Sequence, residues 1–146
     1  MGIGNILRGD DGIGIYIVNN FNDENWISLN CGTVPENFTS IVKKEKPDYL
    51  VIVDAAELSL KPGEFRKIPK EKISEIVSTF MGTHNIPISH LVKYLGKYVK
   101  KEIIFIGIQP KSLHLKETIS KELKSAAKKI IEILKKEKFN EIREYE

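Results

Sequence analysis

Apolar residues fall into two rhythms along this chain. Tyr49-Leu50-Val51-Ile52-Val53 and Ile103-Ile104-Phe105-Ile106-Gly107-Ile108 are continuous apolar runs, the pattern of strands covered on both faces within a parallel sheet. Trp26 to Cys31 alternates as a strand would. Met1-Gly2-Ile3 predicts a short strand leading into a glycine loop, and Phe65 to Ile68 predicts another. Between these runs the period lengthens to three or four. Ile13, Ile17, Val18 and Phe21 share one helical face; Phe38, Ile41 and Val42 a second; Ile73, Ile76, Val77 and Phe80 a third. Leu91, Leu95 and Val99 continue a helix begun at Ile86-Pro87-Ile88, and Ile119, Leu123, Ala126, Ala127, Ile130, Ile131 and Leu134 form the longest stripe. Pro35 suits a first helical turn, Lys61-Pro62-Gly63-Glu64 reads as a turn, and Gly82-Thr83-His84-Asn85 interrupts the helical spacing. The acidic tail over 139–146 is expected to fray.

Strands alternating with helices throughout predict a three-layer α/β sandwich with a mostly parallel sheet and helices on both faces. The 146 residues suit one domain over 1–146, with no repeat or interior linker. In open parallel sheets, ligands bind beyond the carboxyl ends of the strands. Three polar segments are expected there: the loop after the first strand, Asp54 after the long strand that precedes it, and the loop around His84. One sheet edge is thus expected to collect Asp11, Asp54 and His84.

Composition narrows the classes. The chain is 41% hydrophobic and 29% charged with net charge +3, ordinary for a soluble domain. No apolar run approaches the roughly 20 residues of a membrane helix, and no signal peptide follows Met1, so a cytoplasmic protein without a membrane segment is expected. Cys31 is the one cysteine, which excludes an internal disulfide and a cysteine-based zinc site. Of 23 basic residues only three are Arg, and the Lys-rich C-terminal third interleaves with apolar positions. That is a solvated helix face, and no nucleic-acid partner is expected.

Candidate chemistry concentrates at Gly9-Asp10-Asp11-Gly12, where two carboxylates sit between glycines. Gly2-Ile3-Gly4 invites a dinucleotide reading, but the third glycine of that pattern would fall on Leu7, and the two acids oppose an anion. Consecutive side chains rarely share a direction, so at most one of Asp10 and Asp11 can ligate a single cation. The other would cap the next helix or orient a neighbour. Sequence alone leaves open which does which. Asp54 ends a buried strand, where a carboxylate is costly unless paired or bound to a cation. Two carboxylates and an imidazole would make an open site for a divalent metal such as zinc, nickel or iron. His90 and His114 lack acidic neighbours and read as surface or structural residues; Cys31 reads as a small core residue.

Seven motifs occur in an order that resembles the nickel–iron hydrogenase maturation proteases. They are Gly-Ile-Gly-Asn (2–5), Gly-Asp-Asp-Gly-Ile-Gly (9–14), Pro-Glu-Asn (35–37), Val-Asp-Ala-Ala-Glu (53–57), Pro-Gly-Glu (62–64), Thr-His-Asn-Ile-Pro (83–87) and Gly-Ile-Gln-Pro (107–110). The resemblance runs from Gly2 to about Phe139 and is nearest the branch that processes hydrogenase-3-type large subunits. It implies a twisted five-stranded sheet sandwiched by helices. It also implies an endopeptidase that removes a C-terminal extension from a hydrogenase large-subunit precursor after nickel insertion. The metal-binding and catalytic residues it implies are Asp11, Asp54 and His84, with nickel supplied by the precursor and no organic cofactor. Asp10 is then left to support the loop or the helix start. A metal-sensing docking or checkpoint module that does not cut is the alternative. One departure is visible: relatives carry several apolar residues before Gly-Ile-Gly-Asn, whereas here only Met1 precedes it. Either the start is placed late or the first strand is shortened, and the loss would anchor the Asp11 loop less firmly.

Overall fold

A computed structural model describes residues 1–77, 86–115 and 118–146. Its centre is a five-stranded sheet built from β1 (Gly2–Ile3), β2 (Asn30–Gly32), β3 (Tyr49–Ala55), β4 (Phe65–Lys67) and β5 (Glu102–Ile108), in the order β2-β1-β3-β5-β4. The first four positions in that order run parallel, and β4 pairs antiparallel with β5 at one edge. The two continuous apolar runs lie side by side as β3 and β5, paired in register from Tyr49 with Glu102 to Ala55 with Ile108. Each is buried on both faces because helices cover both.

Successive strand residues point to opposite faces, which divides the core in two. Val51, Val53, Ile104 and Ile106 pack under α1 (Ile13–Asn19) and α5 (Lys121–Lys135). Leu50, Ile52, Ile103 and Phe105 pack under the other face, with Val42 of α2 (Thr39–Glu45), Ile73 of α3 (Ile73–Val77) and Leu91, Val92 and Leu95 of α4 (Ile88–Leu95). This is the three-layer sandwich that the alternation of periods predicted. The lysines of α5 lie on its exposed side while Leu123, Ala126, Ala127, Ile130 and Leu134 are buried.

Several sequence expectations shift in detail. The strand expected over Trp26 to Cys31 contracts to Asn30–Gly32; Trp26 instead stacks edge-on against Phe21 and Phe139. Pro35 opens a 3-10 turn over Pro35–Phe38 that runs on into α2. Asp54 lies inside β3, one residue before its end. The tail over 139–146, expected to fray, is docked. Phe139–Glu141 forms a 3-10 turn and Ile142 is buried. Lys67 N–H donates to Arg143 O and Tyr145 N–H donates to Lys67 O, extending the sheet beyond β4. An unpaired β4 edge offers backbone groups that need partners, and the tail supplies them. The short first strand is as expected: β1 spans two residues, held between Leu29 O on one side and the β3 backbone on the other.

The fit of α1 against the sheet decides where the glycine loop lies. A Cβ on Gly14 would sit 2.4 Å from both Ile3 O and Val53 O, so only glycine lets the helix backbone rest directly on β1 and β3. Among the described residues, no helix is long and apolar enough to cross a membrane.

Candidate active site

The loop between β1 and α1 closes on itself through the backbone. Gly4 has φ +150°, and a Cβ there would fall 1.9 Å from Asp11 O. A side chain at position 4 would thus push the Asp11 peptide out of place. Asn5 N–H donates to Asp11 Oδ2 at 3.0 Å, Arg8 N–H to Asn5 O, and Asp11 N–H to Arg8 O. Gly9-Asp10-Asp11-Gly12 then forms one 3-10 turn that feeds straight into α1.

Within that turn the two carboxylates have different tasks. Asp10 is buried and turns away from α1 toward the chain beyond β5. It accepts hydrogen bonds from Lys111 N–H (2.8 Å), Ser112 N–H (3.1 Å), Ser120 N–H (2.7 Å) and Ser120 Oγ–H (2.9 Å). Its own N–H donates to Ser112 O. Asp10 therefore does not cap a helix; it ties the first loop to both ends of the 111–120 segment. This support role was open from the sequence, and its partners lie 101 to 110 residues away.

The charge of Asp11 is felt at Asp54. Burial pushes the Asp54 carboxyl well above the ordinary carboxylate range, the negative charge of Asp11 raises it further, and the Ala55 N–H offsets part of this. By the alternation of β3, Asp54 lies on the face of Leu50 and Ile52. It is 1% exposed. Among the described residues, nothing donates to its Oδ2. A buried carboxylate oxygen without a partner calls for a proton or a cation.

The third predicted residue, His84, lies outside the described residues. Among those described, no three His, Cys, Asp or Glu side chains form a metal-holding group. Of the predicted site residues the structure describes Asp11 and Asp54, and the charge of Asp11 is felt at Asp54. His90 and His114 are exposed, and Cys31 is buried in β2, as the sequence suggested.

One organising residue escaped the sequence reading. Gln109, buried at the end of β5, accepts from Leu58 N–H and Leu60 N–H through Oε1 and donates to Glu57 Oε2 through Nε2. It fixes the chain just after Asp54. A lone glutamine closing an apolar strand was the available signal.

A mostly parallel sheet carries at its carboxyl edge, where ligands of such sheets bind, a buried Asp54 whose carboxyl is pushed up by burial and by the charge of Asp11. Comparison with known proteins specifies the class. The model of the hydrogenase maturation protease family HycI matches residues 16–137. The chain is 39% identical over 145 residues to a Methanocaldococcus jannaschii protein assigned to the hydrogenase maturation proteases, covering 92% of this chain and 83% of that one. It is 33% identical over 135 residues to the hydrogenase 3 maturation protease of Escherichia coli, covering 90% and 85%. The solution structure of the Escherichia coli endopeptidase HycI superposes with TM-score 0.84 at 29% identity, over 99% of this chain and 94% of that one. The crystal structure of HycI from Thermococcus kodakarensis gives 0.78 at 30% identity, over 92% and 87%. The chain belongs to the hydrogenase maturation protease family, and it is a peptidase.

Proposed function

We propose that this peptidase removes the C-terminal extension of a nickel–iron hydrogenase large-subunit precursor once nickel has been inserted. Asp11, Asp54 and His84 are the residues that meet the metal and the scissile bond. The observation that carries the reading is the buried Asp54 carboxyl, which feels the charge of Asp11 and has one oxygen with no donor among the described residues.

Physically, such a pair works as a sensor of charge. Two carboxylates at one site repel, and burial penalises the charged form of Asp54 further. A divalent cation arriving with the precursor reverses both effects, so docking strengthens only after the metal is seated. In this reading nickel belongs to the substrate. The precursor presents its metal, Asp11 and Asp54 become favourable ligands for it, and His84 contributes an imidazole. Burial and the Asp11 charge favour the protonated form of Asp54 at rest, and an arriving cation favours the ionised form. A carboxylate beside the scissile bond can then serve as a general base toward an attacking water.

The test is direct. The protein is incubated with precursor loaded with nickel, and with precursor lacking it, and the partner's mass is followed. Loss of a C-terminal fragment from the loaded form alone is expected, and Asp11→Asn, Asp54→Asn and His84→Ala should each abolish it. Intact precursor held in a stable complex would mark a docking module and overturn the reading, as would equal cleavage of both forms.

A further inference from the structure

Three large apolar side chains stand exposed on the two segments that leave the carboxyl ends of β1 and β5. Ile6 is 64% exposed and Leu7 66%, on the loop that leads from β1 to Asp11; Leu115 is 69% exposed, on the segment after β5. A single exposed leucine means little, since much of any protein surface is apolar. Three features set these apart.

The first is rigidity. The Ile6-Leu7 turn is held by hydrogen bonds on every side: Asn5 N–H to Asp11, Leu7 N–H to Asn5 Oδ1 at 2.9 Å, and Arg8 N–H to Asn5 O. Ile6 also backs onto Gly12, where a Cβ would come within 3.1 Å of the Ile6 Cα and 3.5 Å of Ile119 Cδ1. The backbone that displays these side chains is thereby braced.

The second is linkage. Asp10 binds Lys111, Ser112 and Ser120. It thereby fastens both stems of the segment carrying Leu115 to the turn that carries Asp11. The apolar residues and the acidic centre are parts of one braced unit.

The third is position. The chain after β1 and the chain after β5 both leave the carboxyl edge of the sheet, where Asp54 also lies. A peptidase whose reacting groups lie at that edge must receive a polypeptide there, so the neighbouring rim is covered by the chain being cut.

We propose that Ile6, Leu7 and Leu115 form an apolar collar that grips an apolar stretch of the substrate polypeptide beside the scissile bond. The collar supplies the standing affinity for the partner, and the carboxylates supply the response to its metal. This inference rests on the function proposed above, and its test separates the two.

The double variant Ile6→Ser/Leu7→Ser and the single variant Leu115→Ser are compared with wild type in cleavage of nickel-loaded precursor, and in binding to it by calorimetry. Because these side chains are exposed, the variants should keep the wild-type circular dichroism and melting temperature. KM and the dissociation constant are expected to rise about tenfold or more, the effect of losing about one apolar side chain's burial. The value of kcat should stay within about twofold. Ile27→Ser removes an exposed apolar side chain from the opposite edge of the sheet, ahead of β2, and should change neither constant. Unchanged KM and affinity in both collar variants, or an equal loss in Ile27→Ser, would overturn the collar. Should wild type bind precursor without cutting it, the proposed function fails while the binding comparison still decides the collar. If wild type neither binds nor cuts, both fall.

Discussion

Asp54, buried one residue before the end of β3, feels the like charge of Asp11, and one of its oxygens has no donor among the described residues. Neither burial nor a neighbouring anion favours a charged carboxylate, so ionising Asp54 is costly in the folded protein.

That cost has a definite pH dependence. The folded-state pKa of Asp54 is raised above its unfolded value. Between the two values the native state therefore holds more protons than the unfolded chain, and stability falls as pH rises. Asp54→Asn, which cannot ionise, should melt higher than wild type at pH 8. The difference should shrink steadily as pH is lowered toward about 4, the unfolded carboxylate range. Thermal melts of both proteins across that range check this; a difference independent of pH would contradict it.

The two adjacent acids should separate in their effects. Asp10→Ala strips the partner from three backbone N–H groups and the Ser120 hydroxyl at once. It should cost about 3 kcal/mol or more in urea unfolding. Asp11→Asn keeps an oxygen able to accept from Asn5 N–H, so its stability should change by less than about 1 kcal/mol while precursor processing is lost. Equal destabilisation by both substitutions would count against the division of labour.

Gly4→Ala should disturb the site without touching its side chains. The added Cβ would lie 1.9 Å from Asp11 O, and the peptide must move. We expect a loss of about 1–3 kcal/mol together with a large fall in kcat. A change in stability with unaltered kcat would show that the Asp11 loop tolerates the shift.

Ending the chain at Glu141 should be costly even though the tail is acidic and terminal. It removes the buried Ile142, both backbone bonds to Lys67, and the Tyr145 ring over which Lys72 sits. A loss of about 2–5 kcal/mol is expected from the emptied core position. Urea titration of the shortened and full-length proteins measures it.

Much of this molecule is written in local pattern. The continuous runs at Tyr49–Val53 and Ile103–Ile108, and the helical stripe ending at Leu134, determine the central strands and the long helix, because period and burial follow directly from side-chain alternation. The glycines around Asp10 and Asp11 likewise announce a tight turn. Tertiary structure alone decided the rest. Asp10 and Asp11 are neighbours of one chemical type, and only partners 101 or more residues away make the first a brace, while the charge of the second is felt at Asp54. The tail composition suggests fraying, yet an unpaired β4 edge, invisible in any local window, gives it a place to bind. Local spacing specifies which conformation each segment prefers; which distant groups it must satisfy is set when the sheet assembles and buried polar atoms require partners.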